Sequence, residues 1–186
     1  MCPPGRDNLC GHRFVRQYGE LPVGYGHKYV YSHFGYNLKA TDMQAAVGCA
    51  QIKKFPSFVV RRKENFARLK EGLLDLQDSF ILPEPCENSD PCWFGFLITC
   101  KEGCDRNKVV RYAEEQGVQT RMLFSGNLTK HPCFDQMRRE GRGYRIAGDL
   151  TVTDQIMTDT FWIGVYPGMT DAMIDRMTRV LKEAVK

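Results

Sequence analysis

Several features that would identify a function class are missing or scarce in this sequence. Its apolar stretches, such as residues 45–50, are far shorter than the roughly 20 residues that a transmembrane helix needs. Met1 is followed directly by Cys-Pro-Pro-Gly, without the charged segment and apolar core of an export signal. The net charge of +4 comes without a basic run, which argues against nucleic acid as a partner. These absences predict a cytoplasmic protein that binds neither nucleic acid nor a membrane.

Metal-binding knuckles are also absent, although the sequence contains eight cysteines. Cys100 and Cys104 lack the paired Cys-x-x-Cys motifs that indicate a zinc site. A metal site that recruits His131 and Cys133 is the less favoured interpretation. A disulfide framework explains the even number poorly, because the chain is long and shows no export signal. Cys49 lies in an apolar helical pattern, so we predict that it is a small core residue.

The rest of the composition is ordinary, with 42% apolar and 26% charged residues in a chain of 186. Residues 1–30 contain eight glycines and prolines, which favour loops over helices and strands. So long an irregular segment is unusual in a free-standing domain. We therefore predict that residues 1–40 form an irregular arm that lies against another part of the protein, and that residues 41–186 form the folded domain.

The spacing of apolar residues predicts four helices. The first follows a cap at Thr41 and ends at Pro56, after which Ser57 caps the second. The apolar pairs of this long second helix are Val59-Val60, Phe66-Ala67 and Leu73-Leu74. The third covers residues 107–116, and the fourth is capped by Thr170. The apolar stripe of the fourth comprises Met173, Ile174, Met177, Val180, Leu181, Ala184 and Val185.

Four segments read as strands because they are rich in aromatic and β-branched residues. They cover residues 79–82, 93–99, 118–124 and 161–165. Two helices followed by strands that alternate with helices predict a small α/β domain, with the helices packed on one face of a small sheet.

Residues 33–46, His-Phe-Gly-Tyr-Asn-Leu-Lys-Ala-Thr-Asp-Met-Gln-Ala-Ala, carry a family resemblance. They resemble the Gly-x-Asn segment of the DegT-type sugar aminotransferases and dehydratases, which are fold-type-I pyridoxal phosphate enzymes. The resemblance implies the small carboxy-terminal domain of such an enzyme, with an alanine-rich helix at a dimer interface. It also implies that Asn37 donates to the cofactor phosphate of the neighbouring subunit. The alternative is that Asn37 is a turn residue before a helix cap. The family usually has Arg where this chain has Lys39, so no bidentate contact is expected there.

Residues 2–10, Cys-Pro-Pro-Gly-Arg-Asp-Asn-Leu-Cys, resemble the cluster-binding stretch of the family's iron–sulfur 3-dehydrases. In those enzymes four cysteines hold a [2Fe–2S] cluster, and Cys2 and Cys10 match the last two ligands. The resemblance places the other two ligands before Met1. Because two thiolates cannot complete a four-thiolate site, the alternative for this chain is that both cysteines are free surface thiols.

Residues 121–132 resemble the loop of these dehydrases that faces the sugar nucleotide. On that basis Arg121 is predicted to bind the substrate diphosphate, and Asn127 to bind the substrate. The alternatives are a solvated cation at a strand edge and a left-handed turn residue after Gly126. Phe94 falls where sister aminotransferases tend to carry a histidine near the cofactor, which suits a dehydrase. Its alternative is a core phenylalanine.

The resemblance as a whole implies an enzyme that uses pyridoxamine or pyridoxal 5′-phosphate to remove the 3-hydroxyl of a CDP-4-keto-6-deoxyhexose. Such an enzyme serves deoxysugar and lipopolysaccharide biosynthesis as a homodimer, with a [2Fe–2S] cluster and an electron-donating reductase. The family's catalytic histidine and the aspartate at the pyridine nitrogen belong to a larger upstream domain. We therefore expect no catalytic residue here, not even His27 or His33, and an inactive isolated chain. The alternatives are a partner-binding module from a truncated paralogue, a sugar-nucleotide aminotransferase relative, and a small redox or metal protein.

Overall fold

The computed structural model describes residues 15, 17, 19–23, 30, 34, 36, 38 and 40–186. The chain divides into two compact units, Met1–Ala46 and Val47–Lys186. The described helices are α1 (Asp42–Ile52), α2 (Phe55–Gly72), α3 (Arg106–Glu115), α4 (Asp135–Glu140), α5 (Thr151–Asp159) and α6 (Asp171–Ala184). The described strands are β1 (Phe80–Ile81), β2 (Gly95–Cys100), β3 (Thr120–Met122) and β4 (Thr160–Gly164). None of these helices has the length and apolar character needed to cross a membrane. The predicted arm over residues 1–40 falls largely outside the described residues and stays a prediction.

The four strands form one antiparallel sheet in the order β1-β2-β4-β3. In the central pair, Phe96 lies opposite Ile163 and Ile98 lies opposite Phe161. Since side chains alternate across a strand, these four share one face, and all four are fully buried. The sheet therefore turns a continuous apolar surface towards the helices.

Helices α2, α3 and α6 supply the other half of this core. Their buried residues join those of the strands in one cluster whose largest members include Leu69, Leu73, Phe80, Phe96, Ile98, Val109, Phe161, Ile163, Ile174 and Leu181. Burying each such side chain stabilises the fold by about 1.5–3 kcal/mol. The predicted class, a small α/β domain with helices packed on a sheet, is confirmed.

The predicted helix that begins after Thr170 is also confirmed, as α6. The Thr170 side chain accepts a hydrogen bond from the backbone N–H of Met173 at 3.3 Å, which caps α6. Ile174, Val180 and Leu181 of the predicted stripe are buried, whereas Met173 lies at its exposed margin.

The junction between the first two helices differs from the prediction. Pro56 stands in the first turn of α2, where its missing N–H costs nothing because first-turn amides have no helical acceptor. Ser57 does not cap this helix; its Oγ donates to the Lys54 carbonyl oxygen at 2.7 Å. Cys49 is exposed, and α1 buries none of its residues, so the prediction of Cys49 as a core residue is wrong.

The segment after β3 contains two helices that the sequence did not predict, α4 and α5. Helix α5 is rich in threonine and β-branched residues, which are poor helix formers. Strand β3 spans only three residues, fewer than the predicted 118–124, because the chain turns at Phe124 and Gly126, both with positive φ.

Candidate functional site

Trp162 is the centre of the candidate site. It lies on β4 opposite Leu97 of β2 and Arg121 of β3, so these three side chains share the sheet face that does not form the core. Its Nε1 donates to the Met122 carbonyl oxygen at 3.1 Å, which fixes the indole. A Cβ at Gly95 would lie 2.7 Å from Cε3 of this indole, so only glycine leaves room for it.

On one side of Trp162 lies an apolar cleft of about 200 Å³. Phe94 forms part of its rim, with 56% of the residue exposed and its ring edge-on to the indole at a centroid distance of 5.4 Å. Phe124 is likewise exposed and adopts a left-handed φ of 47°. The apolar cleft is lined by Trp93, Phe94, Gly95, Leu97, Leu123, Phe124 and Trp162. The interpretation of Phe94 as a core residue is therefore wrong.

On the other side of Trp162 lies a basic cleft of about 480 Å³ at the β3 edge of the sheet. Arg121 is exposed in it and has no hydrogen-bond or ion-pair partner among the residues that the structure describes. Arg176 of α6 donates from Nη2 to the Gln116 carbonyl oxygen at 2.6 Å. The basic cleft is lined by Gly117, Val118, Gln119, Arg121, Trp162, Gly164, Tyr166, Met173, Arg176 and Met177.

Asn127 is 3% exposed and holds the loop that follows β3. Its Oδ1 accepts from Thr129 N and Oγ1 at 3.1 and 2.6 Å, and its Nδ2 donates to Asp154 at 2.6 Å. Lys130 pairs with the same carboxylate, and these two contacts, Lys130 first, lower the pKa of Asp154 below its ordinary value. With φ of −81°, Asn127 is not the left-handed turn residue of the alternative interpretation; Gly126, at φ 56°, takes that conformation.

The remaining sequence candidates lie outside the described residues. They are Asn37 for the cofactor phosphate, Cys2 and Cys10 for the cluster, and the two histidines His27 and His33. Their predicted roles stay predictions.

The cysteines that the structure describes do not assemble a metal site. Cys100 is buried in the core, where burial raises the pKa of its thiol well above the ordinary value and the neighbouring Cys104 adds to the shift. Cys92 lies elsewhere, with its Sγ 3.9 Å from the Val59 carbonyl oxygen, and Cys86 is exposed. Among the described residues, no three histidine, cysteine or acidic side chains could hold a metal ion together. This part of the chain does not fit an iron–sulfur cluster.

The apolar cleft suits the pyridine ring of pyridoxal phosphate but not its phosphate group. The exposed rings of Phe94 and Phe124 beside the indole of Trp162 form an aromatic wall that suits the face of a planar pyridine ring. The residues lining this cleft provide no cationic or amide side chain for the phosphate.

Sequence reasoning missed Trp162, Phe124, Tyr166 and Arg176. The tryptophan was available as a signal, because it is one of only two in the chain and sits in a predicted strand. The approach of Arg176 to Arg121 had no local signal, since 55 residues separate them in the sequence.

Comparison with known proteins gives a consistent result. Residues 12–182 match the DegT/DnrJ/EryC1/StrS aminotransferase family. The lipopolysaccharide biosynthesis protein RfbH of Salmonella typhimurium is 50% identical over 184 residues, covering 98% of this chain and 41% of RfbH. The dTDP-4-dehydro-2,6-dideoxy-D-glucose 3-dehydratase of Saccharopolyspora spinosa is 47% identical over 186 residues, covering 99% of this chain and 39% of that enzyme. The chain thus spans about two fifths of the length of these relatives.

A solved structure shows the same fold. A mutant of GDP-4-keto-6-deoxymannose-3-dehydratase with bound GDP-perosamine superimposes with a TM-score of 0.71 at 21% identity. The match covers 94% of this chain and 47% of that enzyme.

Proposed function

Because the chain belongs to the DegT/DnrJ/EryC1/StrS aminotransferase family, we propose that it is the carboxy-terminal part of a longer sugar-nucleotide 3-dehydrase. The reaction proposed is removal of the 3-hydroxyl of a CDP-4-keto-6-deoxyhexose, as in CDP-6-deoxy-L-threo-D-glycero-4-hexulose 3-dehydrase, which the sequence resembles. The enzyme would act in the cytoplasm, in deoxysugar and lipopolysaccharide biosynthesis. The 186-residue chain alone would be inactive.

The observation that carries this proposal is the exposure of Phe94 at the rim of the apolar cleft. A phenyl ring can neither accept nor donate a proton, so it cannot replace the histidine that sister aminotransferases tend to carry there. An exposed aromatic side chain in a cleft instead gains by contact with a ligand or another protein surface. Against a cofactor ring, Phe94 would exclude water from the reacting face of the substrate.

The other predicted residues take supporting roles in the proposal. Asn37 would donate its amide N–H to the cofactor phosphate of the partner subunit in a homodimer. Arg121 would bind the substrate diphosphate through its guanidinium. Asn127 orders the loop between β3 and α4 through Thr129 and Asp154. The second N–H of its amide is the group it could offer the substrate.

Pyridoxamine phosphate, when bound, supplies the electron sink that lets the 3-hydroxyl leave. The described residues contribute the aromatic wall of the apolar cleft and the cation of Arg121. The apolar cleft and Arg121 would orient the substrate and exclude water. Proton transfer is assigned to the upstream domain, because the lining of the apolar cleft includes no titratable side chain.

The proposal also assigns Cys2 and Cys10 to two thiolate positions of a [2Fe–2S] cluster, with the other two thiolates upstream. An electron-donating reductase would be the partner that supplies reducing equivalents. The support for this part is the resemblance of residues 2–10. In the 186-residue chain alone we therefore expect labile, substoichiometric iron after reconstitution.

The proposal is tested by joining residues 1–186 to the upstream part of RfbH and supplying pyridoxamine phosphate, a reductase and a CDP-4-keto-6-deoxyhexose. Mass spectrometry of the product should show loss of the 3-hydroxyl. Phe94→Leu should keep this reaction, whereas Phe94→His should lower it at least tenfold, since it places a titratable group against the cofactor. An amino sugar as the main product would contradict the proposal, as would a folded, cofactor-loaded protein without any turnover.

A further inference from the structure

We infer that Gly95 is a positioning residue of the apolar cleft: because it has no side chain, it sets the angle at which the indole of Trp162 faces a bound ring. The inference deepens the proposed function and rests on it only for the identity of that ring, the pyridine of pyridoxamine phosphate. Gly95 contributes no chemical group of its own and acts through Trp162.

The indole of Trp162 lies across the backbone of Gly95 on the outer face of the sheet. Trp162 pairs with Leu97, so Gly95 stands two residues along β2 on the same face, diagonal to the tryptophan. Gly95 is buried, whereas Leu97 and Thr99, the next residues on this face of β2, are only partly buried. The glycine is buried because the aromatic ring covers it.

The indole is held on two opposite sides. On one side, Nε1 donates to the Met122 carbonyl oxygen at 3.1 Å. On the other side, a Cβ at Gly95 would lie 2.7, 3.1 and 3.3 Å from Cε3, Cδ2 and Cζ3 of the indole. Carbon atoms in favourable contact stand about 3.5–4.0 Å apart. Alanine would therefore push this side of the ring away from the sheet while the hydrogen bond holds the other, so the ring would tilt.

A tilted indole would change the shape of the apolar cleft. Phe94 meets the indole edge-on, with 5.4 Å between the ring centroids and 88° between the ring planes. Aromatic pairs prefer this arrangement, and it is lost when one ring rotates. Since both rings line the cleft, the angle between them decides how a planar ligand ring can lie against them. Gly95 thus determines the orientation of one part of the aromatic wall.

The glycine opposite Gly95 provides a matched control. Gly164 of β4 pairs directly with Gly95, so the two lie on the same face of neighbouring strands. A Cβ at Gly164 would meet no atom within 4 Å. Neither glycine has a left-handed φ, so alanine suits both backbones. The contact with the indole is what distinguishes the two positions.

The first measurement is on the 186-residue chain, whose two tryptophans give two indole N–H signals in a ¹⁵N–¹H NMR spectrum. Trp162→Phe assigns the signal of Trp162. Gly95→Ala should shift or broaden that signal, because the tilt bends the hydrogen bond to Met122. Gly164→Ala should leave it in place. An unmoved Trp162 signal in Gly95→Ala would overturn the inference.

The second measurement uses the enzyme formed by joining this chain to the upstream part of RfbH. Gly95→Ala should weaken the binding of pyridoxamine phosphate about 3- to 10-fold, the worth of one aromatic contact. It should lower kcat about 10- to 100-fold, because a displacement of about 1 Å at a reacting centre has an effect of that size. A purely structural role for Gly95 would lower Tm and leave the kcat of the folded enzyme unchanged, which would overturn the inference.

A second variant tests whether the effect passes through the indole. Trp162→Phe removes the benzo ring, and with it the Cε3 and Cζ3 atoms that alanine would strike. In that background Gly95→Ala should lower kcat much less than it does beside tryptophan. An equal loss in both backgrounds would overturn the inference.

The inference and the proposed function can fail separately. An amino sugar as the main product, formed at a rate that still depends on Gly95, would sink the proposed function alone. Loss of the 3-hydroxyl with the same kcat and the same cofactor affinity in Gly95→Ala would sink the inference alone.

Discussion

Helices α1 and α6 both carry apolar side chains at helical spacing, yet only α6 buries them. Ile174, Val180 and Leu181 of α6 lie in the core, whereas Val47 of α1 is 62% exposed, and Met43 and Ile52 are exposed as well. An 11-residue helix is too short to be stable in water by itself. The difference shows that a pattern predicts the helix, while its burial depends on a partner. No residue of α1 is buried by contact with the other described residues.

The largest expected contrast between the two helices is in stability. Leu181→Ala should lower the free energy of unfolding by about 2–5 kcal/mol, because it leaves a cavity in the core. Val47→Ala in α1 should change it by less than about 0.5 kcal/mol in the 186-residue chain. Urea denaturation followed by circular dichroism measures both. Similar losses would mean that α1 is packed as tightly as α6.

The pH dependence of the free energy of unfolding should distinguish the buried Cys100 from the exposed Cys49 of α1. Burial raises the pKa of the Cys100 thiol in the folded protein, so the thiol stays protonated there while it ionises in the unfolded chain. The associated stability is present below the unfolded thiol pKa of about 8.5 and is lost as pH rises above it, by up to about 1.4 kcal/mol per pH unit.

Replacing the thiol isolates this effect. Denaturation between pH 8 and pH 10 should show a shallower decline for Cys100→Ala than for the unaltered chain. Cys49→Ala, which removes an exposed thiol of α1, should keep the original slope. A Cys100→Ala slope equal to the original would contradict the burial argument.

The smallest effect expected is that of the helix caps. Thr170→Ala removes the acceptor for Met173 N–H and should cost about 1 kcal/mol. Ser57→Ala, at the position that sequence reasoning took for a cap, should cost less than about 0.5 kcal/mol, because Ser57 lies inside α2. Thermal unfolding distinguishes the two. A larger loss at Ser57 would restore the sequence-based assignment.

Some parts of the fold could be predicted from the sequence, and others could not. The strands around Phe96 and Phe161 and the cap at Thr170 follow from local propensity and spacing, and the structure confirms them. Helix α5 could not be found that way, because its threonines favour other conformations. The position of α5 depends on contacts with residues that are distant in the sequence, such as the hydrogen bond from Asn127 to Asp154.

The candidate site was predictable only in part. Phe94 and Arg121 were identified through a family resemblance, and the structure shows both exposed beside Trp162. Trp162 and Arg176 were missed, since their meeting depends on strand register and helix packing and not on a local motif. Asn37, Cys2 and Cys10 lie outside the described residues, so their roles remain predictions.

The proposed function requires that this chain completes a cofactor site of a longer enzyme. Asn37→Ala in the joined protein tests it most directly, with the affinity for pyridoxamine phosphate as the single measurement. We expect a loss of 10- to 100-fold, the worth of one hydrogen bond to an ionised group. Asn107→Ala, at an exposed position of α3, should leave the affinity unchanged. Equal affinity in the Asn37→Ala and unaltered proteins would contradict the claim and return Asn37 to a turn before a helix cap.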